Sequence, residues 1–411
     1  MKSTLILPAI TGMLCALCSC GSKSAPQRDF PFSANPSSKS FAEAPVSAER
    51  VVVGSDTLIV GRLTSSPETV TLLASELMDD LEIVKLENTD EALVGGGSIW
   101  VNDSRIIIYD GKAIKQFDRS GKFLGNIGAK GQGPGEYSIA PYYITVDEAA
   151  GRIYLLEYAA TNLKIYDTTG VYVGSIPFPE KVHKGFFRID NEKGLLTVAS
   201  LRFSGMSQLG PVWVQDFHGN VVSSVNRPEI AVEPDYSNEV YGGTTADGNG
   251  FTYSLFRVIP EADSLYAYAD SCFRPDFTFD FGDKIPMHTL QSLPQFYVVI
   301  GYGAPVQTGE GSYQLPHLTP FVIDRYTLRG APAVLMLDNL GTLTMDRGWS
   351  DHQNAEYFSW CIDPGDLLDC LEAAPESHPL ANEEGMKRMR DLKETINLDD
   401  NNYIIIGKWK R

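Results

Sequence analysis

Three short segments share one layout: "AIKQFDRSGKFLGNI", "NLKIYDTTGVYVGSI" and "PVWVQDFHGNVVSSV" each read as an alternating strand, an Asp-x-x-Gly turn and a second strand. The aspartates are Asp118, Asp167 and Asp216, so the unit repeats every 49 residues, and the glycines Gly121, Gly170 and Gly219 keep the same step. A fixed period near fifty residues, with several short strands per unit, constrains the chain strongly. It marks a β-propeller, in which each unit is one four-stranded blade.

The strands of a unit can be named. In the second unit, "YYITVD" is strand a, "RIYLLE" strand b, "NLKIYD" strand c and "VYVGSI" strand d. The a–b turn "EAAG" and the c–d turn "TTG" hold residues that tolerate tight or left-handed backbone. The first unit fits the same way, as "GGSIWVND", "RIIIYD", "AIKQFD" and "KFLGNI". Between the two lies "GAKGQGPGEYSIAP", a glycine-rich run that invites comparison with a phosphate loop. A phosphate loop needs a helix N-terminus to aim its amides at the anion. Here a strand follows and no Gly-Lys-Ser/Thr is present. The run reads instead as the linker from the outer strand of one blade to the inner strand of the next.

The stretch from Ile127 through Ile176 resembles an NHL-type repeat, with its glycine-rich linker, a proline before strand a, an "IY" strand and a "DxxG" turn. It departs from that pattern in carrying Glu157 where the repeat usually has Asp. More widely, "LEIVKLENTDEALVGGG", "GQGPGEY", "DSLYAYADSCFRPDFTFDFGDKIP" and "DDNNYIIIGKWK" are similar to segments of the six-bladed β-propeller lipoproteins of Bacteroidota. The resemblance spans about Leu81 to Lys410. It implies an all-β, six-bladed propeller and says little about function.

The later blades lose strict periodicity. "DSLYAY" to "FTFDFG" is assigned to the fourth, "FVIDRYTL", "AVLMLDN" and "LTMDRG" to the fifth, and "YFSWCID" with "NYIIIGKW" to the sixth. Between those last two pieces, "DPGDLLDCLEAA" and "ANEEGMKRMRDLKETI" read as helices. In the second, Met386, Met389, Leu392 and Ile396 share a face, giving a small helical insertion in the last blade. An N-terminal strand, either "DTLIVGRL" or "LEIVKLE", is expected to pair into that blade and close the ring.

The N-terminus reads as an export signal. After Lys2 an apolar run from Leu5 to Leu17 is too short to span a bilayer. Its end, "LCSC", puts Leu17 at −3, Ser19 at −1 and Cys20 at +1, which resembles a bacterial lipoprotein signal and makes Cys20 the expected lipid anchor. The expected organisation is a signal over residues 1–20, a Ser-, Ala- and Pro-rich tether over 21–50, and a propeller over 51–411. The cell envelope, as an outer-membrane lipoprotein, is the expected location. The residues after Cys20 are Gly21, Ser22, Lys23 and Ser24, not acidic, which leaves the membrane side open.

A net charge of −18 argues against nucleic acid as a partner. Outside the signal, Cys272, Cys361 and Cys370 allow at most one disulfide, with Cys361–Cys370 the pair considered beside buried free thiols. Asp247 and Asn249 lie in a stretch that brings calcium to mind, but the ligands of a twelve-residue loop are missing and a turn is the expectation. "NLDDNN" reads as a cap or turn, and His352 with Glu356 would share a helix face only if that stretch were helical. No paired-histidine metal motif and no Gly-x-Ser-x-Gly elbow occur, so no catalytic, cofactor or metal residues are assigned.

Antiparallel strands place d–a linkers and b–c loops on one face, and a–b and c–d turns on the other. Gln132, Glu136 and Tyr137 of the linker therefore share a face with Tyr158 and Thr161, and with Gly111. This is the expected binding face. The leading functional expectation is a non-enzymatic, membrane-anchored scaffold for a peptide, glycan or partner protein. The competing one is a metal-dependent hydrolase or lyase with ligands from several blades in the central channel, which would leave no local motif.

Overall fold

The computed structural model describes residues 38–54, 56–63, 68–309, 312–345 and 356–410. Its strands form a six-bladed propeller. Blade one is Ser98–Val101, Arg105–Tyr109, Ile114–Asp118 and Phe123–Asn126; blade two is Pro141–Asp147, Arg152–Glu157, Ala160–Asp167 and Tyr172–Val182. Blade three comprises Gly185–Asp190, Leu195–Ser200, Val212–Asp216 and Val221–Ser224, and blade four Glu239–Thr244, Phe251–Phe256, Ser264–Ala269 and Cys272–Asp280. Each is an antiparallel meander.

The fifth blade corrects the sequence reading. "FVIDRYTL" and "AVLMLDN" are its strands c and d, within Phe321–Asp324 and Gly330–Met336, while strands a and b are His288–Ser292 and Phe296–Gly301. Those two lack the alternation that marks a half-buried strand, because all of their residues are buried. Phe296–Gly301, a middle strand packed on both faces, reads as one apolar run, whereas His288–Ser292, at the inner edge, is buried but mostly polar in sequence.

Six hydrophobic clusters account for closure. Each lies at one junction between neighbouring blades. Trp100, Ile107 and Ile114 of blade one meet Ile144, Ile153 and Tyr166 of blade two, and Val84, Ile404 and Tyr357 of blade six meet Ile99, Ile106 and Phe117 of blade one. Among the described residues each of the other four junctions also has a core. Blade six is built from both chain ends: Met78–Lys85 pairs with Tyr403–Trp409, which pairs with Tyr357–Ile362. So "LEIVKLE" is the closing strand. "DTLIVGRL" goes elsewhere: Asp56–Arg62 runs parallel to the outer strand Cys272–Asp280 of blade four and carries Ala48–Val53 on its far side. Val70–Leu73 likewise lies parallel to the outer strand of blade five. Pairing covers edges that would otherwise present free amides.

The folded residues begin before Val51. A short turn of helix at Lys39–Phe41 buries Phe41 completely against Phe296, ring centroids 5.7 Å apart, and Ser40 Oγ donates to the Thr71 carbonyl. Cys20, the rest of residues 1–37, and His352 lie outside the described residues. Both anticipated helices are present, at Pro364–Ala373 and Glu383–Thr395, each capped by an Asp or Asn side chain that accepts from a glycine amide two or three residues on. Met389 is buried, with Met386, Leu392 and Ile396 packed beside it. Cys272, Cys361 and Cys370 are not joined in a disulfide.

The repeated turn has a double purpose. Asp118 Oδ1 accepts from the amides of Ser120 and Lys122, Asp167 Oδ1 from Thr169 and Val171, and Asp216 Oδ1 from His218 and Asn220. The glycine that follows each Asp has a left-handed φ, +85° at Gly121, +89° at Gly170 and +87° at Gly219. It also sits against the outer strand of the preceding blade. A Cβ would lie 2.2 Å from Lys85 O at Gly121, 2.1 Å from Asn126 O at Gly170 and 3.2 Å from Pro177 O at Gly219. The period of 49 is thus a period of inter-blade contacts.

Candidate binding face

The register of the strands fixes what each face carries. Strand a starts where the d–a linker arrives, so strand b ends beside it, and cross-bonds show this: Tyr158 N donates to Ala140 O, Leu201 N to Lys184 O, and Tyr302 N to Met287 O. In blade six the helices leave after Ile362 and return at Tyr403, which pairs with Lys85 at the head of the linker into blade one. The helical insertion therefore stands on the same face as the linkers and b–c loops.

That face is held by backbone-directed carboxylates. Glu157, at the position where the NHL pattern has Asp, accepts through Oε1 from the amides of Ser138 (2.7 Å) and Ile139 (3.2 Å), while Lys164 pairs with its Oε2. The longer Glu side chain reaches the linker, so its role is structural. Glu136 turns back on its own loop and accepts from Gly133 N at 2.8 Å.

The expected site residues divide. Gln132 is exposed in the linker and Tyr158 is half-buried in the b–c turn, both on the face. Glu136 is there too but engaged with its loop. Tyr137 is a core residue, 1 % exposed, whose hydroxyl accepts from Ile114 N. Thr161 is exposed but belongs to strand Ala160–Asp167, not to the loop. Gly111 lies in the b–c loop of blade one, where its carbonyl accepts from the Tyr109 hydroxyl.

Sequence reasoning missed a cluster where blades two, three and four meet. Lys184, at the head of blade three, is buried; its Nζ donates to Tyr236 O (2.6 Å) and Asn238 O (2.9 Å) and pairs with the Glu239 carboxylate. The other Glu239 oxygen accepts from the Tyr142 hydroxyl at 3.0 Å. Burial raises the Glu239 carboxyl against the pull of Lys184 and Tyr142. Lys184 Nζ lies 5.5 Å from the centroid of the Tyr158 ring, which meets Tyr142 edge-on at 4.9 Å. Burial pushes the Tyr158 hydroxyl up to about 12, with the Glu239 charge adding to it. Tyr236 stands outside this core, 56 % exposed, with its hydroxyl 2.8 Å from His183 Nδ1 and its ring against Phe203 and His183. Burial, then Lys181, holds the His183 imidazole below its usual range. No sequence motif signals the cluster, because its members come from five loops and strand ends separated by up to 97 residues.

The two faces differ in kind. Large exposed apolar or aromatic side chains on the linker and b–c side are Leu93, Ile139, Met206, Tyr236, Ile259 and Leu318, with Val306, Leu380 and Leu398 beside them, so every blade or the linker entering it contributes. Among the described residues the a–b turns carry none and the c–d turns only Val171, where strand d begins, while Val46, also exposed, bridges to Arg329 in the c–d turn of blade five. Beside the helical insertion a recess is lined by Asp80, Glu82, Asn339, Asn382, Glu384 and Arg388, and the opposite face has one of similar size, about 630 Å³, lined by both charged and apolar residues, among them Asp147, Ala149, Arg188, Ile189, Asp190 and Glu192. The Asp247 stretch on that side is a turn, with Thr245 Oγ1 donating to Asp247. Asp400 of "NLDDNN" is tied to Lys85 and Tyr403. Among the described residues no group of three or more His, Cys, Asp or Glu side chains is placed to hold a metal ion, and no helix is long and apolar enough to cross a membrane.

Fold and loops together define a six-bladed β-propeller whose linkers and b–c loops carry more of the exposed large apolar side chains than its a–b and c–d turns. The chain belongs to the DUF4934 family, a domain of unknown function, whose pattern matches residues 60–297. It is similar in structure to an exported protein of Bacteroides fragilis, with 18 % identity, a TM-score of 0.54, and coverage of 86 % of this chain and 100 % of that one. A member of the DUF4221 family from Bacteroides vulgatus matches more loosely, at 11 % identity and a TM-score of 0.42, over 81 % of this chain and 97 % of that one. The likeness to the Bacteroides fragilis protein concerns the fold alone. The chain matches no curated protein.

Proposed function

We propose that this protein is an envelope propeller, anchored through a lipidated Cys20, that binds a peptide, a glycan or a partner protein through its linker and b–c loop face. The observation that carries the reading is the asymmetry of the two faces: exposed large apolar side chains gather on the loops of one and are nearly missing from the turns of the other. Exposed apolar surface is costly to leave in water, and its concentration on one side marks a surface that is covered in use. The lipoprotein-like "LCSC" end of the signal supports anchoring, and export is in keeping with the description of the Bacteroides fragilis protein.

The test uses the chain without residues 1–20, immobilised and exposed to an envelope extract. Ile139→Asp with Ile259→Asp places charges on the loop face, and Ala149→Asp with Thr168→Asp places them on the turn face. The first pair loses the captured ligand and the second keeps it. Loss only with the turn-face pair contradicts the proposal. Elemental mass spectrometry on the same preparation addresses the competing reading, since about one calcium or zinc per chain would direct attention to metal-dependent hydrolysis or elimination in the channel.

A further inference from the structure

We infer that two copies of this chain pair through the rim of blades one to three, along a strip of apolar side chains that recurs with the 49-residue period. Leu124, Val173 and Val222 stand one repeat apart in the outer strands of these blades, 41 %, 48 % and 62 % exposed. Each is the extra residue of a β-bulge. The register slips between Gln116 and Phe117 opposite Leu124, between Ile165 and Tyr166 opposite Val173, and between Val214 and Gln215 opposite Val222. A bulge re-aims a side chain, and here three bulges present three apolar side chains to solvent. Val171 and Val221, 60 % and 41 % exposed, lie beside them. Contacts between blades make one strip of these positions. The Gly170 turn before Val171 meets Asn126 O of blade one, and the Gly219 turn before Val221 meets Pro177 O of blade two.

The other outer edges are guarded. Asp56–Arg62 covers blade four and Val70–Leu73 covers blade five, while the outer strand of blade six, Met78–Lys85, carries Asp79, Asp80, Glu82 and Lys85. Covering strands and charges are the means by which proteins keep sheet edges from associating. Blades one to three have neither. Among the described residues no strand lies outside Phe123–Asn126, Tyr172–Val182 or Val221–Ser224, and no charged residue occurs from Phe123 to Asn126, from Tyr172 to Pro179 or from Val221 to Ser224. The bulges, with Pro177 and Pro179, obstruct the addition of a strand, so the strip offers side-chain packing. Charge then selects the occupant. A foreign partner of a chain with net charge −18 is selected by complementary charge, and this strip presents none. Two copies repel each other over most of their surface and approach most readily where both are uncharged. Across a two-fold axis the strip meets itself, so no second surface is needed.

The test is sedimentation velocity of the chain lacking only residues 1–20, over a concentration series. The chain forms a dimer with a Kd of about 10 µM or tighter. Val173→Asp with Val222→Asp weakens association by about a hundredfold or more. Val173→Thr with Val222→Thr, which keeps the branched shape and the strand preference, weakens it by about threefold or more. Val52→Asp, at a rim valine 73 % exposed on the strands that cover blade four, leaves it unchanged. Thermal melts check folding, and the Thr pair decides where the Asp pair melts lower. The inference is overturned if the wild-type chain stays monomeric up to about 100 µM, if the folded rim variants dimerise as wild type does, or if Val52→Asp dissociates the dimer as well. The loop-face reading stands or falls separately, on its own paired-charge capture experiment.

Discussion

Gly170→Ala tests the claim that the repeated turn holds neighbouring blades together. Gly170 has φ +89°, where an L side chain is strained by roughly 1–2 kcal/mol. Its added Cβ would sit 2.1 Å from the Asn126 carbonyl oxygen of blade one, and both partners are backbone, so neither can swing aside. Forcing one carbon into such a site costs a further ~1–3 kcal/mol. The sum, about 2–5 kcal/mol, is a large part of the ~5–15 kcal/mol by which folded proteins are usually stable. Gly151, in the a–b turn of the same blade, has φ +61° but nothing within 4 Å of its Cβ position, so Gly151→Ala isolates the backbone strain. Gly219, with its nearest neighbour at 3.2 Å, falls between. The expected order of loss is Gly170 and Gly121 together, then Gly219, then Gly151. The assay is urea unfolding followed by tyrosine and tryptophan fluorescence, with midpoints compared at constant slope. Equal losses at Gly170 and Gly151 would refute the reasoning, since the inter-blade contact would then contribute nothing.

Phe41→Ala removes a fully buried ring outside the repeat and should cost about 3–5 kcal/mol in the same unfolding assay, showing that the N-terminal segment belongs to the body. Burial lowers both the His183 and the His288 imidazole in the folded chain, so the unfolded chain binds more protons once the pH falls below about 6.5. Their contribution is intact above that pH and is lost as pH falls towards the folded values; the urea midpoint drops from pH 7.5 to 5.5, and replacing both by Gln flattens the drop. With no disulfide among Cys272, Cys361 and Cys370, thiol titration of the unfolded chain lacking residues 1–20 gives three thiols, and reductant leaves the midpoint unmoved.

Much of the ring could be read from residues, because the outer half of a blade repeats a chemistry. Strands c and d join through Asp-x-x-Gly, where the carboxylate and the left-handed glycine are both required, so blades one to three show their period. Strands a and b leave a fainter mark. Phe251–Phe256 and Phe296–Gly301 are buried on both faces and show no alternation, and that is why blades four and five were seen only through their outer strands. The choice of closing strand was open for a related reason. "DTLIVGRL" and "LEIVKLE" have the same β-branched pattern, and only tertiary pairing sends one to blade four and the other to blade six. For the binding face, antiparallel geometry brought Gln132 and Tyr158 to the same side. It could not reveal that Tyr137 is core, since a tyrosine in a glycine-rich linker looks exposed until its hydroxyl is found on Ile114 N. Nor could it reveal the Lys184 cluster, whose parts meet only when blades two, three and four close on one another.

In-cell photo-cross-linking tests the central claim that one face of the ring does the binding. A photo-reactive residue is placed singly at Ile139, Met206 and Ile259 on the loop face, and at Ala149, Thr168 and Asn191 on the turn face, in the full chain. The account predicts adducts of one recurring mass from the three loop-face positions and none from the turn face. Adducts from the turn-face positions alone, or equally from both faces, would contradict it.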